Sequence, residues 1–264
     1  QRDVPESRRL AEELMARPCD LPGEPPRFPP PHRSSCGEGP YLDAEQAFHA
    51  AQEMPEGPAR REQWSRAAEL YQLGLERDPA RSEAPEAAVN GAYAYKQIGA
   101  YARALEVYRL FLRTYGAEAR LARLEKGDPR ATPPVPPDPH RHQESLGYVT
   151  MAMEGLATAL LLSFDYPATM TVYEEIAGNR RFTQAARSRA AHNVAILAHQ
   201  LGDEARSRTA RALFVRLKAA PAEVAELDAA LRRQPSKASG APHRLETAAL
   251  LAPDLLARPL PAAR

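Results

Sequence analysis

The sequence predicts an all-α protein, an array of about four helical hairpins preceded by a proline-rich extension and closed by capping helices at its C-terminal end. The first reason is a spacing written twice. Ala67, Tyr71, Gly74 and Pro79 follow Trp64, and Ala104, Tyr108, Phe111 and Gly116 repeat the same steps 37 residues later, comparing Ala67 with Ala104. A small residue, an aromatic one turn on, a third residue on that face and then a breaker describe a helix that packs closely and stops. The second reason is composition: aromatics are only 6% and alanine is abundant, which suits helices that approach through small side chains. The third is punctuation, because the helical periods lie between clusters of proline and glycine.

One helix-turn-helix unit in arrays of this kind takes roughly 34 residues. The doubled spacing, with the run Gly99-Ala100-Tyr101-Ala102-Arg103-Ala104 at the turn between helices, resembles the tetratricopeptide repeat family. That resemblance implies an α-solenoid whose concave face binds other proteins, without chemistry of its own.

Taken in order, Glu6 to Arg17 carries Leu10, Leu14 and Met15 on one stripe and reads as a short helix. Residues 18–40 then hold eight prolines, too many missing N–H donors for helix or sheet, so 1–40 is expected to be a helix followed by extended chain. Residues 41–220 form the predicted solenoid. Tyr41 to Met54 presents Ala44, Ala47, Phe48 and Ala51 on one face and pairs with Gln63 to Arg77; Ala84 to Ile98 pairs with Ala102 to Thr114. A proline-rich insertion at 125–141 interrupts the array, with six prolines from Gly127 to Pro139. Helical pattern resumes near His142 and is strongly apolar through Phe164; its partner follows Asp165-Tyr166-Pro167, with Thr169 where a small alanine is expected. A fourth hairpin runs from about Thr183 to Leu201 and from Glu204 to Lys218, joined at Gly202-Asp203. Residues 221–264 supply capping helices, Ala222 to Arg233 and Leu245 to Leu256, since a terminal repeat has no neighbour to cover its apolar face.

Charge and cysteine content limit the function classes. The 35 basic residues nearly cancel the 34 acidic ones, so no global field favours nucleic acid. Only Lys96, Lys126, Lys218 and Lys237 are lysines, which with the alanine and proline load suggests a high-GC bacterial genome. No apolar run approaches the roughly 18 residues a bilayer requires; the best candidate, Leu156 to Phe164, is far shorter. The chain starts at Gln1, so either a leader was removed or the chain is truncated. Cys19 and Cys36 can pair in an oxidising compartment, contributing about 3 kcal/mol, or stay as free thiols. These features lead to the expectation of a periplasmic or outer-membrane-associated protein, attached through a lipidated N-terminus ahead of Gln1; a cytoplasmic scaffold is the alternative. General resemblance to components of myxobacterial gliding-motility machines points to a subunit of an envelope complex.

No phosphate-binding Gly-rich loop with Lys-Ser/Thr, Gly-x-Ser-x-Gly elbow, His-Glu-x-x-His helix or Cys-x-x-Cys pair is present, so the chain is read as non-enzymatic, with no cofactor and no metal. The competing reading is a metal-dependent enzyme or regulator using His140 and His142 of the insertion. Under the repeat resemblance, the first helix of each hairpin lines the concave side. That registration implies a partner-binding groove of Tyr93, Lys96 and Gln97 in the second hairpin, Glu154 and Thr158 in the third, and Arg189, His192 and His199 in the fourth. Its occupant would be a helix or extended peptide of a partner protein. His192 and His199 also suit ordinary packing positions. Val89 and Glu154 stand where the family's chaperone-tail clamp needs basic or amide groups, which disfavours an acidic C-terminal tail as ligand. The arginines from Arg180 to Arg216 make the fourth hairpin locally basic, either for an acidic partner or as a solvated face paired with Glu174, Glu175 and Glu204.

Overall fold

The computed structural model describes residues 38–217, 219–233 and 250–251. The expected helix at Glu6–Arg17, most of the proline-rich run and the Cys19–Cys36 pairing lie outside the described residues. Ten α-helices and no strand occur among the described residues, and the chain divides into two compact units between Ala100 and Tyr101.

The first unit holds α1 (Glu38–Glu53), α2 (Pro58–Arg77) and α3 (Ala84–Gln97), each packed on the others. The extended region does not reach Pro40 as expected. Helix α1 already begins at Glu38, and a proline in a first turn loses no intrahelical hydrogen bond. The core is aromatic at its centre: the Phe48 ring meets Trp64 edge-on at 4.9 Å and Tyr71 at 6.1 Å, with Tyr93 5.5 Å from Trp64. Around it alanines let the helices close up; Ala44, Ala67, Ala68 and Ala92 are fully buried. The Gly74 of the repeated spacing has the Tyr41 ring against it, where a Cβ would lie 2.9 Å from a ring carbon. The Tyr41 hydroxyl donates to the Asp78 carbonyl at 2.9 Å, and the Tyr95 hydroxyl donates to Gln72 Oε1 at 2.6 Å, tying α3 to α2.

The second unit holds α4 (Tyr101–Thr114), α5 (Glu118–Lys126), α6 (Pro139–Leu162), α7 (Tyr166–Gly178), α8 (Gln184–Gln200), α9 (Glu204–Arg216) and α10 (Pro221–Leu231). Packing runs from neighbour to neighbour: α6 touches α4, α5 and α7, α8 touches α7 and α9, and α10 returns to α8. Four helix starts are capped by a side-chain oxygen that accepts a main-chain N–H three residues on, from Asp138, Asp165, Thr183 and Asp203. The repeated spacing of α4 is buried as predicted, with Ala104, Tyr108 and Phe111 at most 1% exposed.

Three expectations need correction. The insertion is shorter than 125–141, because α5 extends to Lys126 and α6 begins at Pro139 with Asp138 as its cap. Its intervening loop is closed by paired main-chain bonds between Asp128 and Val135, at 2.7 and 3.0 Å. Gly127 enters that loop at φ 75°, where a Cβ would sit 2.6 Å from the Val135 carbonyl oxygen, so only glycine fits. Second, α6 is long and apolar enough, by length and composition, to cross a bilayer; the run starting at Leu156 missed it because Thr150 and Glu154 interrupt the apolar residues that precede it. In the protein, 56% of its most apolar window is buried, as befits a core helix. Third, Leu250 and Leu251 are not helical, because the main chain of Leu251 pairs with a side chain of α8; the remainder of the expected 245–256 helix, residues 245–249 and 252–256, lies outside the described residues.

Candidate functional site

Most of helix α8 is apolar and buried on nearly every side, from Ala186 through Ala190–Ala198. Two polar residues break this pattern toward α6 and α7. Arg189 and Asn193 are four apart and therefore on one face, and Glu154 and Thr158 make the same spacing on α6. The Arg189 Nη2 donates to Glu154 Oε1 at 2.8 Å. Glu154 is 2% exposed, and its Oε2 as well as the Arg189 Nε is buried with no hydrogen-bond partner. Burial pushes the Glu154 carboxyl above its ordinary range, with the Arg189 guanidinium acting against the shift. The Thr158 hydroxyl is turned back onto its own helix, donating to the Glu154 carbonyl at 2.8 Å. The buried Tyr173 phenol of α7 is shifted upward by burial, while hydrogen bonding to Asn193 and Thr158 opposes that shift.

Asn193 is 1% exposed and uses its carboxamide on main chain: Nδ2 donates to the Leu251 carbonyl at 2.9 Å, and Oδ1 accepts from the Leu251 N–H at 2.9 Å. In an extended chain the N–H and C=O of one residue point to the same side, so one amide can engage both as a neighbouring strand would. A buried charge pair beside a two-point grip on peptide main chain can hold a polypeptide in a fixed register without reading its side chain.

The other predicted groove residues fall elsewhere. His192 is buried with its ring 5.5 Å from Phe214 of α9, which makes it a packing residue; its Nδ1 has no partner and burial pushes its pKa down. His199 stands at the far end of α8, with Nδ1 2.9 Å from Glu204 Oε1 and Nε2 3.0 Å from the Arg233 carbonyl. It lines a cleft of about 320 Å³ with Arg208, Arg211 and Asp228. Tyr93, Lys96 and Gln97 belong to the first unit. Tyr93 is half-buried in the aromatic cluster, Lys96 Nζ lies 4.5 Å above its ring, and Gln97 is exposed at the end of α3. Burial pushes the Lys96 pKa down to about 8. The basic run is largely paired: Arg206 forks onto Glu174 at 2.5 and 2.6 Å, Arg211 onto Asp228 at 2.5 and 2.7 Å, and Arg181 onto Glu118.

His140 and His142 are not in a loop. They occupy the first turn of α6, where residues two apart project from different sides of the helix and cannot share a ligand. Among the described residues there is no cluster of three or more His, Cys, Asp or Glu. Asn193, Tyr173 and Leu251 were not singled out from sequence. Asn193 was reachable, since it follows Arg189 by one helical turn on the same face; its partner was not, because Leu251 is 58 residues away.

No family model matches the chain, and no curated protein or solved structure matches it.

Proposed function

We propose that this protein is a non-enzymatic interaction scaffold of tetratricopeptide type, and that it holds a partner polypeptide in extended form on the α6/α8 face of the second unit. The observation that carries this reading is the Asn193 carboxamide paired with both main-chain groups of Leu251. The repeat type is supported by burial of both copies of the spaced motif and by sequential helix packing within each unit. Rigid helices supply the platform, the Glu154–Arg189 pair supplies polar character at its floor, and Asn193 supplies the register. Composition and general resemblance support the wider reading, a periplasmic or outer-membrane-associated subunit of a bacterial envelope complex of gliding-motility type. No nucleic acid is expected among its partners.

Arrays of short peptides probed with the purified chain test the site. Two hydrogen bonds at about 1 kcal/mol each amount to about 2 kcal/mol, or roughly 30-fold in affinity. Asn193→Asp keeps the acceptor but loses the donor and turns a carboxylate toward a peptide carbonyl, so binders should weaken by at least the roughly 5-fold of one such bond. Equal binding by the variant would remove this reading. Fractionation of the native host with an antibody to the chain tests the compartment.

A further inference from the structure

The main chain held by Asn193 belongs to the same polypeptide, 58 residues downstream. The contact is anchored by main chain rather than by side-chain burial, since Leu251 remains 39% exposed. Asn193 pairs with a single residue through both its main-chain groups, and it does so beside Glu154 Oε2 and Arg189 Nε, two buried polar atoms that still lack partners. A strut fixed for stability alone would be expected to bury its leucine and satisfy its polar neighbours. This one does neither.

We propose that the Leu250–Leu251 segment is an intramolecular occupant of the Asn193 site, and that a partner engages by supplanting it with an extended segment of its own. The proposal rests on the peptide-binding reading above and adds how the site is regulated. Two physical consequences define the partner. Its anchor residue must carry an N–H, so proline is excluded there. Its side chain at that register can vary, because the leucine now present points partly to solvent. Covalent linkage makes the resident segment a unimolecular competitor that dilution does not remove, so partners must bind well to displace it.

The test uses the full chain and a fluorescent peptide of residues 246–256, followed by anisotropy. Leu251→Pro removes the N–H that Asn193 accepts and should free the site, so that this variant binds the peptide at least 10-fold more tightly than the unaltered chain. Adding Asn193→Asp to Leu251→Pro should cancel the gain. If the unaltered chain and Leu251→Pro bind alike, and both lose binding with Asn193→Asp, self-occupancy is wrong and the peptide-binding reading stands. If Leu251→Pro binds nothing, or binds regardless of Asn193, both are wrong. Amide exchange at Leu251 in an isotope-labelled, unaltered chain needs no variant: excess unlabelled peptide should accelerate it several-fold, and unchanged exchange at saturating peptide would overturn self-occupancy.

Discussion

Substituting alanine at two glycines of one helix, α6, should move stability in opposite directions. Nothing lies within 4 Å of the Cβ position at exposed Gly147, whereas at Gly155 a Cβ would meet the Tyr108 Cζ and hydroxyl at 2.4 Å. Ordinary contact begins near 3.4 Å, so the Tyr108 ring must retreat by about 1 Å into a core packed at crystal-like density. Tyr108 is 1% exposed and has little room to do so. Gly147→Ala gains helix propensity and lower unfolded-state entropy, about 0.4–1 kcal/mol. Gly155→Ala gains the same and loses about 1–3 kcal/mol or more to overpacking. The difference between the two variants cancels the propensity term and reads the steric one alone. Urea unfolding followed by circular dichroism measures it, and in thermal scans 2 kcal/mol corresponds to about 4–8 °C for a unit of this size. Tyr108→Leu deletes the obstructing atoms, so in that background Gly155→Ala should become harmless, a coupling of about 0.5–3 kcal/mol. Equal stabilisation by both alanines would mean that α4 and α6 do not meet through Tyr108 and Gly155, and the packing scheme would fail.

Two further outcomes concern the polar floor. Arg189→Met leaves the Glu154 carboxylate buried without its counter-charge and should cost up to about 3 kcal/mol at neutral pH, the guanidinium being about one-third exposed. Because the folded-state pKa of Glu154 lies above its ordinary 4.5, the folded protein binds the extra proton in that window; the penalty should shrink as pH falls toward 4.5 and grow as pH rises, checked by urea unfolding across pH. His192 has the opposite sign: its folded pKa lies below 6.5, held down by burial against the pull of a hydrogen bond with Asn193 and of Glu223 and Glu226 of α10. Stability should therefore be complete above about 6.5 and decline as pH drops toward the folded pKa, a dependence that His192→Phe removes.

Local rules carried the fold and stopped short of the site. Trp64, Ala67 and Tyr71, like Ala104, Tyr108 and Phe111, are buried because small and aromatic residues at helical spacing report a packed face wherever they occur. The same rule failed for α8, whose apolar residues surround the helix, so periodicity could not say which side His192 took; it faces Phe214 rather than an open wall. Glu154 and Arg189 were both picked from their helices, but their pairing across 35 residues is a tertiary fact. The grip of Asn193 on Leu251 depends on two groups with no shared pattern.

Sequential packing also orders events during synthesis. As the chain leaves the ribosome, each helix of the second unit finds its partner shortly after it emerges, so long-range searches are rare. Two side-chain contacts of that unit do reach far along the chain, Arg181 back to Glu118 across 63 residues and Asn193 forward to Leu251 across 58. Until Leu251 is made, the Asn193 carboxamide lacks its main-chain partner and has only Tyr173 and His192 to engage.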